Sequence, residues 1–265
     1  MAIGRGAVNR MNATTTFGIA PPSFDGAVES VERLTRQHGA PARFRLTPLD
    51  ERLDALLAQR GFARSADVAV MKLDLALAPM LDSMLDSMLD PSPDPSLDSS
   101  HDSSHDSSQE RAPGASPAPH ARVHAEGRVT EAWLERLRRF GGYDEARVRE
   151  IGESLERLRL PYAVFWRVDA VGLAVRDGAW LGLFDIAVDP ARRRSGAGRA
   201  ITASMLTWGR DSGAERAYLQ VHSQNAPALA LYRRFGFTEA YQYHYRTAAH
   251  ATPSATPDVA RGTPG

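Results

Sequence analysis

The sequence predicts that the C-terminal half of the chain folds as an α/β domain, and three features lead to this prediction. Two segments after residue 122 repeat apolar residues at the spacing of an amphipathic helix. Several short apolar runs bounded by turn-forming residues follow, as is typical of strands. A low-complexity stretch precedes this half, so a linker is expected between it and the N-terminal part.

Each element of the predicted domain follows from a local pattern. Apolar spacing predicts helices at 130–140 and 144–158, then strands at 162–168 and 171–175. The mostly apolar run at 181–188 is expected of a strand covered on both faces. The remaining elements are a helix marked by Ala200, Ile201, Met205 and Trp208 that ends near Gly213, a strand at 217–222, a helix capped by Asn225 with Pro227 in its first turn, and a strand at 238–246 after Gly236.

Composition divides the chain into four parts. Residues 79–121 contain a Met-Leu-Asp-Ser repeat, a Pro-rich stretch and a His-Asp-Ser-Ser repeat, which cannot bury a core and predict a disordered linker. His101 and His105 lie four apart in this linker, but repeat slippage explains them without a metal. The predicted parts are therefore an N-terminal lobe at 1–78, the linker, a folded domain at 122–248 and a disordered tail at 249–265.

The N-terminal lobe repeats part of the C-terminal pattern. A helix ending at Gly39, a strand at 43–47, a helix at 50–59 and a strand at 68–75 are expected in this order. When the lobe is shifted by 175 residues, Gly61-Phe62 falls on Gly236-Phe237. This repeated pattern predicts that one supersecondary unit was duplicated.

Charge and cysteine usage exclude several classes of function. Lys plus Arg and Asp plus Glu number 32 each, so net charge predicts neither a nucleic-acid nor a membrane partner. The chain has no Cys, which excludes disulfides and cysteine nucleophiles. No signal-like or membrane-spanning apolar run is found in the sequence, so we expect a cytoplasmic protein.

The segment most informative about chemistry joins the strand at 181–188 to the next helix. Arg192, Arg193 and Arg194 precede a Gly-Ala-Gly turn at Gly196–Gly198, where free N–H groups of the following helix face an anion. A dinucleotide-binding turn would need a third glycine where Ile201 stands, and no Gly-Lys-Ser/Thr of a P-loop is found. The pattern that remains is Arg-x-x-Gly-x-Gly, which suits a pyrophosphate.

This block, Asp185–Arg199, and a second one, Gln220–Asn225 with Ala228, Leu231-Tyr232 and Gly236-Phe237, resemble the GNAT acetyltransferases. The resemblance implies a mixed, mostly antiparallel central sheet flanked by helices, with a partial GNAT-like lobe at the N-terminus. It implies acetyl-CoA as co-substrate, no metal, and Tyr232 as the catalytic residue facing the thioester sulfur. The implied cofactor-binding residues are Ile186, Ala187, Val188, Arg193, Arg194, Ser195, Gly196, Ala197, Gly198, Arg199 and Asn225.

The sequence leaves more than one role open for several candidate residues. Tyr232 is also placed as a core aromatic, and Asp185 could be a base, a substrate contact or a turn residue. His222 and His244 are possible substrate-side groups. The spacing resembles the branch that acetylates protein N-termini, but Gln220 stands where that branch has a glutamate and cannot accept a proton.

We therefore predict an N-acetyltransferase in which a small-molecule or peptide amine attacks acetyl-CoA directly. The alternatives are a non-catalytic acyl-CoA sensor and a nucleotide-binding interaction protein. The N-terminal lobe is predicted to be inactive, because Leu57 and Asp50 replace the counterparts of Tyr232 and Asn225.

Overall fold

The computed structural model of the protein describes residues 13–15, 23–76 and 123–249. The predicted linker at 79–121, with His101 and His105, and all but the first residue of the predicted tail lie outside these residues. The chain forms two compact units. Of the described residues, one unit comprises 13–15, 23–67 and 242–249, and the other comprises 68–76 and 123–241.

The larger unit, with residues 68–76 and 123–241, is built on a sheet with helices on both faces. Its strands are the second part of β3 (Ala63–Asp74), β4 (His124–Glu126), β5 (Tyr162–Arg167), β6 (Ala170–Asp177), β7 (Trp180–Val188) and β8 (Arg216–His222). They lie in the order β3-β8-β7-β6-β5-β4. Every neighbouring pair is antiparallel except β7 and β8, which run parallel. The predicted mixed, mostly antiparallel sheet is thus confirmed.

The helices of this unit are α3 (Glu131–Gly141), α4 (Glu145–Arg157), α5 (Ala197–Asp211) and α6 (Ala226–Arg234). One core lies between the sheet and α5 with α6, where a Cβ on Gly209 would meet Leu181 at 2.3 Å, so only glycine allows this approach. The other core lies under α3 and α4. There the buried Trp133 indole donates hydrogen bonds to the carbonyl oxygens of Phe165 and Gly172, at 3.1 and 3.2 Å.

The second unit is smaller. It contains β1 (Thr14–Thr15), α1 (Phe24–Gln37), β2 (Arg43–Leu46), α2 (Glu51–Gln59), the first residues of β3 and residues 242–247 of β9 (Thr238–Thr247). Its core is one apolar cluster that includes Val28, Leu46, Leu57 and Phe62. Within it β2 pairs with β1 in parallel and with β9 in antiparallel fashion.

The duplicated pattern is visible in the elements themselves. Helix α2 shifted by 175 residues coincides with α6, and the starts of β3 and β9 differ by the same number. Both helices are followed by a glycine of positive φ, Gly61 at 77° and Gly236 at 89°. These equivalences support a duplicated strand-helix-strand unit.

The strand pairs of the two units are equivalent at this offset as well. In the smaller unit Leu46 pairs with His244, and in the larger unit their counterparts Val221 and Ala69 pair in the same way. Each unit thus joins the first strand of one repeat to the last strand of the other. The observed units therefore differ from the predicted lobes of 1–78 and 122–248, because β3 and β9 each pass from one unit to the other.

The short strand β4 was not predicted. Its three residues are too few to show a period, and they directly follow the low-complexity stretch.

Candidate functional site

Strands β7 and β8 separate halfway along their length. They pair from Trp180 with Arg216 to Leu183 with Leu219, and no pair of the described residues follows in this ladder. The opposite edge of β7 stays paired with β6 as far as Val188. Residues 184–188 therefore present one edge of backbone groups to a gap, and their side chains are half-buried whereas residues 181–183 are buried.

A bulge in β7 marks the point of separation. The register with β6 shifts between Val171 and Leu173, so three residue steps on β7 oppose two on β6. Asp185 lies in the bulge with a φ of 50°, which is unusual for a residue other than glycine. Its carboxylate accepts a hydrogen bond from the Tyr143 hydroxyl at 3.1 Å. Strained backbone of this kind concentrates at functional sites.

The gap leads into a loop shaped for an anion. After β7 the Asp189 carboxylate accepts a hydrogen bond from the Ala191 amide at 3.0 Å and caps a 3-10 turn at Pro190–Arg192. Arg194 and Gly196 then take positive φ angles of 68° and 79°. Helix α5 begins without a side-chain cap and without an acidic residue in its first turn. Its first amides are thus available to a negatively charged ligand.

The arginines of this loop form no ion pair with a carboxylate of the described residues. Arg192, Arg193 and Arg194 are exposed, and Arg199 is half-buried in the first turn of α5. None of the four lies within ion-pair distance of a carboxylate in the described part of the chain, whereas Arg138, Arg147 and Arg246 do. A cluster of unpaired cations beside a helix N-terminus favours phosphate binding over a purely structural role.

Gly198 connects this loop to α6. A Cβ at this position would lie 3.5 Å from both Val188 and Leu231, which is ordinary contact, so a larger side chain would fill the space between the end of β7 and α6. Leu231 precedes Tyr232 on α6. The structure therefore brings the predicted strand residues, glycine loop and tyrosine helix together. The arrangement fits the pantetheine and pyrophosphate of coenzyme A.

Tyr232 lies on the buried face of α6. Only 7% of its surface is exposed, and its ring contacts Phe237 edge to face at 6.0 Å. Burial raises the pKa of the Tyr232 hydroxyl to about 12. The hydroxyl is therefore protonated at neutral pH and can act as a proton donor.

Asn225 begins α6. Its side-chain oxygen accepts a hydrogen bond from the Ala228 amide at 3.2 Å, as a helix N-cap does. The capping oxygen leaves the NH₂ group of the same side chain for a ligand, so the capping and cofactor roles are compatible.

The other candidates occupy different positions. Gln220 is half-buried on β8, and His222 is exposed at the end of this strand. His244 belongs to the smaller unit, where its Nε2 lies 2.8 Å from the Asp54 carboxylate. Tyr143 was missed in the sequence analysis; the signal available was an aromatic residue in the short turn between two helices.

The residues that the structure describes contain no group of three or more His, Asp or Glu arranged to hold a metal ion. No helix among them has the length and apolarity that crossing a membrane requires.

Comparisons with known proteins agree with this geometry. The sequence profile of a family described as "Probable histone acetyltransferase Rv0428c C-terminal" matches residues 112–246, about half of the chain. The uncharacterized N-acetyltransferase YobR of Bacillus subtilis is 30% identical over 128 residues, which cover 46% of this chain and 51% of YobR. The chain spans about half or less of the length of the curated relatives that it matches.

Solved structures support the same fold. A tandem GNAT protein from the clavulanic acid biosynthesis pathway superposes with a TM-score of 0.55 at 15% identity, over 82% of this chain and 66% of that one. A GCN5-related N-acetyltransferase from Kribbella flavida gives 0.53 at 13% identity, over 90% and 80%. The chain thus belongs to the GNAT superfamily of acetyltransferases, within the family of the Rv0428c C-terminal domain.

Proposed function

We propose that the protein transfers an acetyl group from acetyl-CoA to an amine acceptor by direct attack. The observation that carries this proposal is the gap between β7 and β8, which opens onto an uncapped helix N-terminus surrounded by unpaired arginines. A gap of this kind has backbone edges for an extended arm and cationic groups for a pyrophosphate.

Three groups of residues would hold the co-substrate. The backbone of Ile186, Ala187 and Val188 would bind the pantetheine arm, because this edge of β7 lacks a strand partner. The loop and first helical turn would bind the phosphates through amides and cationic side chains. These residues are Arg193, Arg194, Ser195, Gly196, Ala197, Gly198 and Arg199, and Asn225 would add its amide from α6.

Acetyl-CoA supplies an activated acyl group when bound. As the C–N bond forms and the C–S bond breaks, Tyr232 would give its hydroxyl proton to the departing sulfur and then regain a proton from solvent. The amine would lose one proton to water, since Gln220 cannot accept it. Positioning the two reactants beside each other would supply much of the acceleration.

The acceptor is proposed as a small-molecule or peptide amine. Relatives include an Escherichia coli ribosomal protein bS18-alanine N-acetyltransferase and a mycothiol acetyltransferase of Segniliparus rotundus, whose names point to different acceptors. The two relatives share acetyl transfer but differ in acceptor. They therefore support acetyl transfer and do not decide between a small-molecule and a peptide amine.

A turnover assay tests the proposal. The full chain is mixed with acetyl-CoA and a panel of primary amines and lysine-containing peptides, and released thiol is measured. We expect thiol release that depends on both substrates. Tight coenzyme A binding without thiol release for any amine would instead support an acyl-CoA sensor, and absence of binding would contradict both.

A further inference from the structure

Asp185 lies in the bulge of β7, at the point where β7 separates from β8. The bulge turns Asp185 to the face of the sheet on which α3 and α4 lie, since its partner Tyr143 is in the turn between these helices. Phe184 packs on the same face, in the core under α3 and α4. Residues on this face of β7 thus surround the gap on the side opposite to α5.

The electrostatics of Asp185 favour a cation. Its side chain is half-buried, and in the part of the chain that the structure describes no Arg, Lys or His makes an ion pair with it. Arg147 on α4 is instead paired with Glu150 at 3.6 Å and lies over the Tyr143 ring, which carries the hydroxyl that contacts Asp185. Partly buried carboxylates are usually paired or hydrogen-bonded, and here one neutral hydroxyl donates.

Aromatic rings continue from Asp185 along the same face. Phe184 contacts Tyr218 edge to face with 5.9 Å between ring centroids, and Tyr218 contacts Trp180 in the same way at 6.2 Å. A carboxylate beside aromatic rings is a chemical match for an ammonium group attached to an apolar or aromatic body.

We propose that Asp185, oriented by Tyr143, recognises the protonated amino group of the acceptor, so that the enzyme selects cationic amines. This inference rests on the proposed acetyl transfer and names its substrate class. After binding, one proton must leave the ammonium nitrogen for water before the C–N bond forms. Asp185 is a binding residue in this account and Tyr143 a positioning residue.

The competing interpretation is that aspartate only tolerates the left-handed backbone of the bulge. Asn tolerates this conformation as well as Asp does, so Asp185→Asn removes the charge and keeps the backbone. Tyr143→Phe removes only the hydroxyl that holds the carboxylate. Asp177→Asn is the matched control, because Asp177 is an exposed carboxylate on β6 at the other end of the β6–β7 hairpin.

Two amines of nearly equal shape separate charge recognition from packing. Phenethylamine is an ammonium ion at neutral pH, whereas O-benzylhydroxylamine is a neutral nucleophile of the same length. In the full-length Asp185→Asn variant we expect the KM for phenethylamine to rise at least about tenfold, the change expected for losing one charge-assisted contact. The KM for O-benzylhydroxylamine and kcat should change less than about twofold.

Tyr143→Phe should show a smaller rise for phenethylamine alone, and Asp177→Asn no change. Equal effects on both amines, or none on either, would overturn the inference. Binding of phenethylamine to the protein saturated with coenzyme A is measured in parallel. If no turnover is found, the proposed acetyl transfer fails. A lower affinity of Asp185→Asn for phenethylamine would still support the amine site in that case. Equal phenethylamine affinity in wild type and variant would overturn the inference.

Discussion

Tyr232 is almost fully buried among apolar side chains, and this burial disfavours ionisation of its hydroxyl. Since burial raises its pKa to about 12, the group retains its proton across the physiological range. The hydroxyl is therefore present as a hydrogen-bond donor when negative charge develops on the departing sulfur, as it would be in any protonated tyrosine.

Tyr232→Phe should lower kcat on the order of 10²-fold, because the proton donor is lost while the ring still packs on Phe237. Coenzyme A affinity should be almost unchanged in calorimetry. Tyr245→Phe is the control, since Tyr245 is also buried but lies in the smaller unit. A wild-type kcat in Tyr232→Phe would mean that the hydroxyl takes no part in catalysis and that Tyr232 only packs in the core.

Gly198→Val should lower coenzyme A affinity at least about tenfold, or about 1.4 kcal/mol. The first carbon of the new side chain fits between Val188 and Leu231 at 3.5 Å, and its methyl groups would enter the space proposed for the co-substrate. Calorimetry on the folded variant measures the effect. Gly127→Val is the control, because a Cβ added at Gly127 would have no atom within 4 Å. If Gly198→Val binds coenzyme A as tightly as the wild type, Gly198 does not line the coenzyme A site.

The sequence indicated some residues of the candidate site but not others. Gly196 and the arginines of the loop were predicted because residue type and order alone carry the argument. The contact between Tyr143 and Asp185 was not, because it joins residues 42 apart through a bulge that no local pattern reveals.

Elements were predicted well where their pattern is long and periodic. Helices α3 to α6 and strands β5 to β9 match their predicted positions to within about three residues. The resemblance implied that Ile186, Ala187 and Val188 bind the co-substrate, but no local pattern shows that β7 diverges from β8 at these residues. The divergence depends on which backbone groups find partners across the sheet, and sequence periodicity does not report this.

A polar cluster connects α2 to β9 in the smaller unit. Asp54 accepts a hydrogen bond from Arg246 Nε at 2.7 Å and lies 2.8 Å from His244 Nε2. These positions correspond to Leu229, Met71 and Ala69 in the other repeat, which are buried in an apolar core. The hydrogen bond from Arg246 is the main cause that lowers the Asp54 pKa from 3.8 to about 2.

Asp54→Asn should destabilise the protein by up to about 2 kcal/mol at neutral pH. Because the folded pKa is depressed, the contribution is present above about pH 4 and is lost as pH falls toward 2. Chemical denaturation at several pH values measures it. Asp67→Asn, which removes an exposed carboxylate paired with Arg64, should have little effect, and equal losses in the two variants would refute the special role of Asp54.

The whole molecule is organised by an exchange of strands between repeats. The unit that carries the candidate site includes residues 68–74 of β3, paired with β8. Met71 and Leu73 of this strand are buried in its core. The sequence predicted the repeat from the matching order of elements together with the aligned Gly-Phe pair. The exchange was not predicted, because a local pattern does not show whether a strand pairs within its own repeat or with the other one.

Residues 122–248 expressed alone should therefore aggregate or unfold more easily than the full chain. The fragment lacks β3, so one edge of β8 is left unpaired and the apolar contacts of Met71 and Leu73, each of about 2 kcal/mol, are lost. Thermal unfolding and light scattering compare the two. Any soluble fraction should still bind coenzyme A; a fragment as stable as the full chain would contradict the account.

We expect the gap between β7 and β8 to be the one coenzyme A site of the chain, because the N-terminal repeat lacks the residues that would form a second site. Leu57 stands there in place of Tyr232, and no glycine-arginine loop precedes α2. Calorimetric titration of the full chain with coenzyme A measures the number of sites. We expect one equivalent bound per chain; two equivalents, or no binding, would refute this assignment.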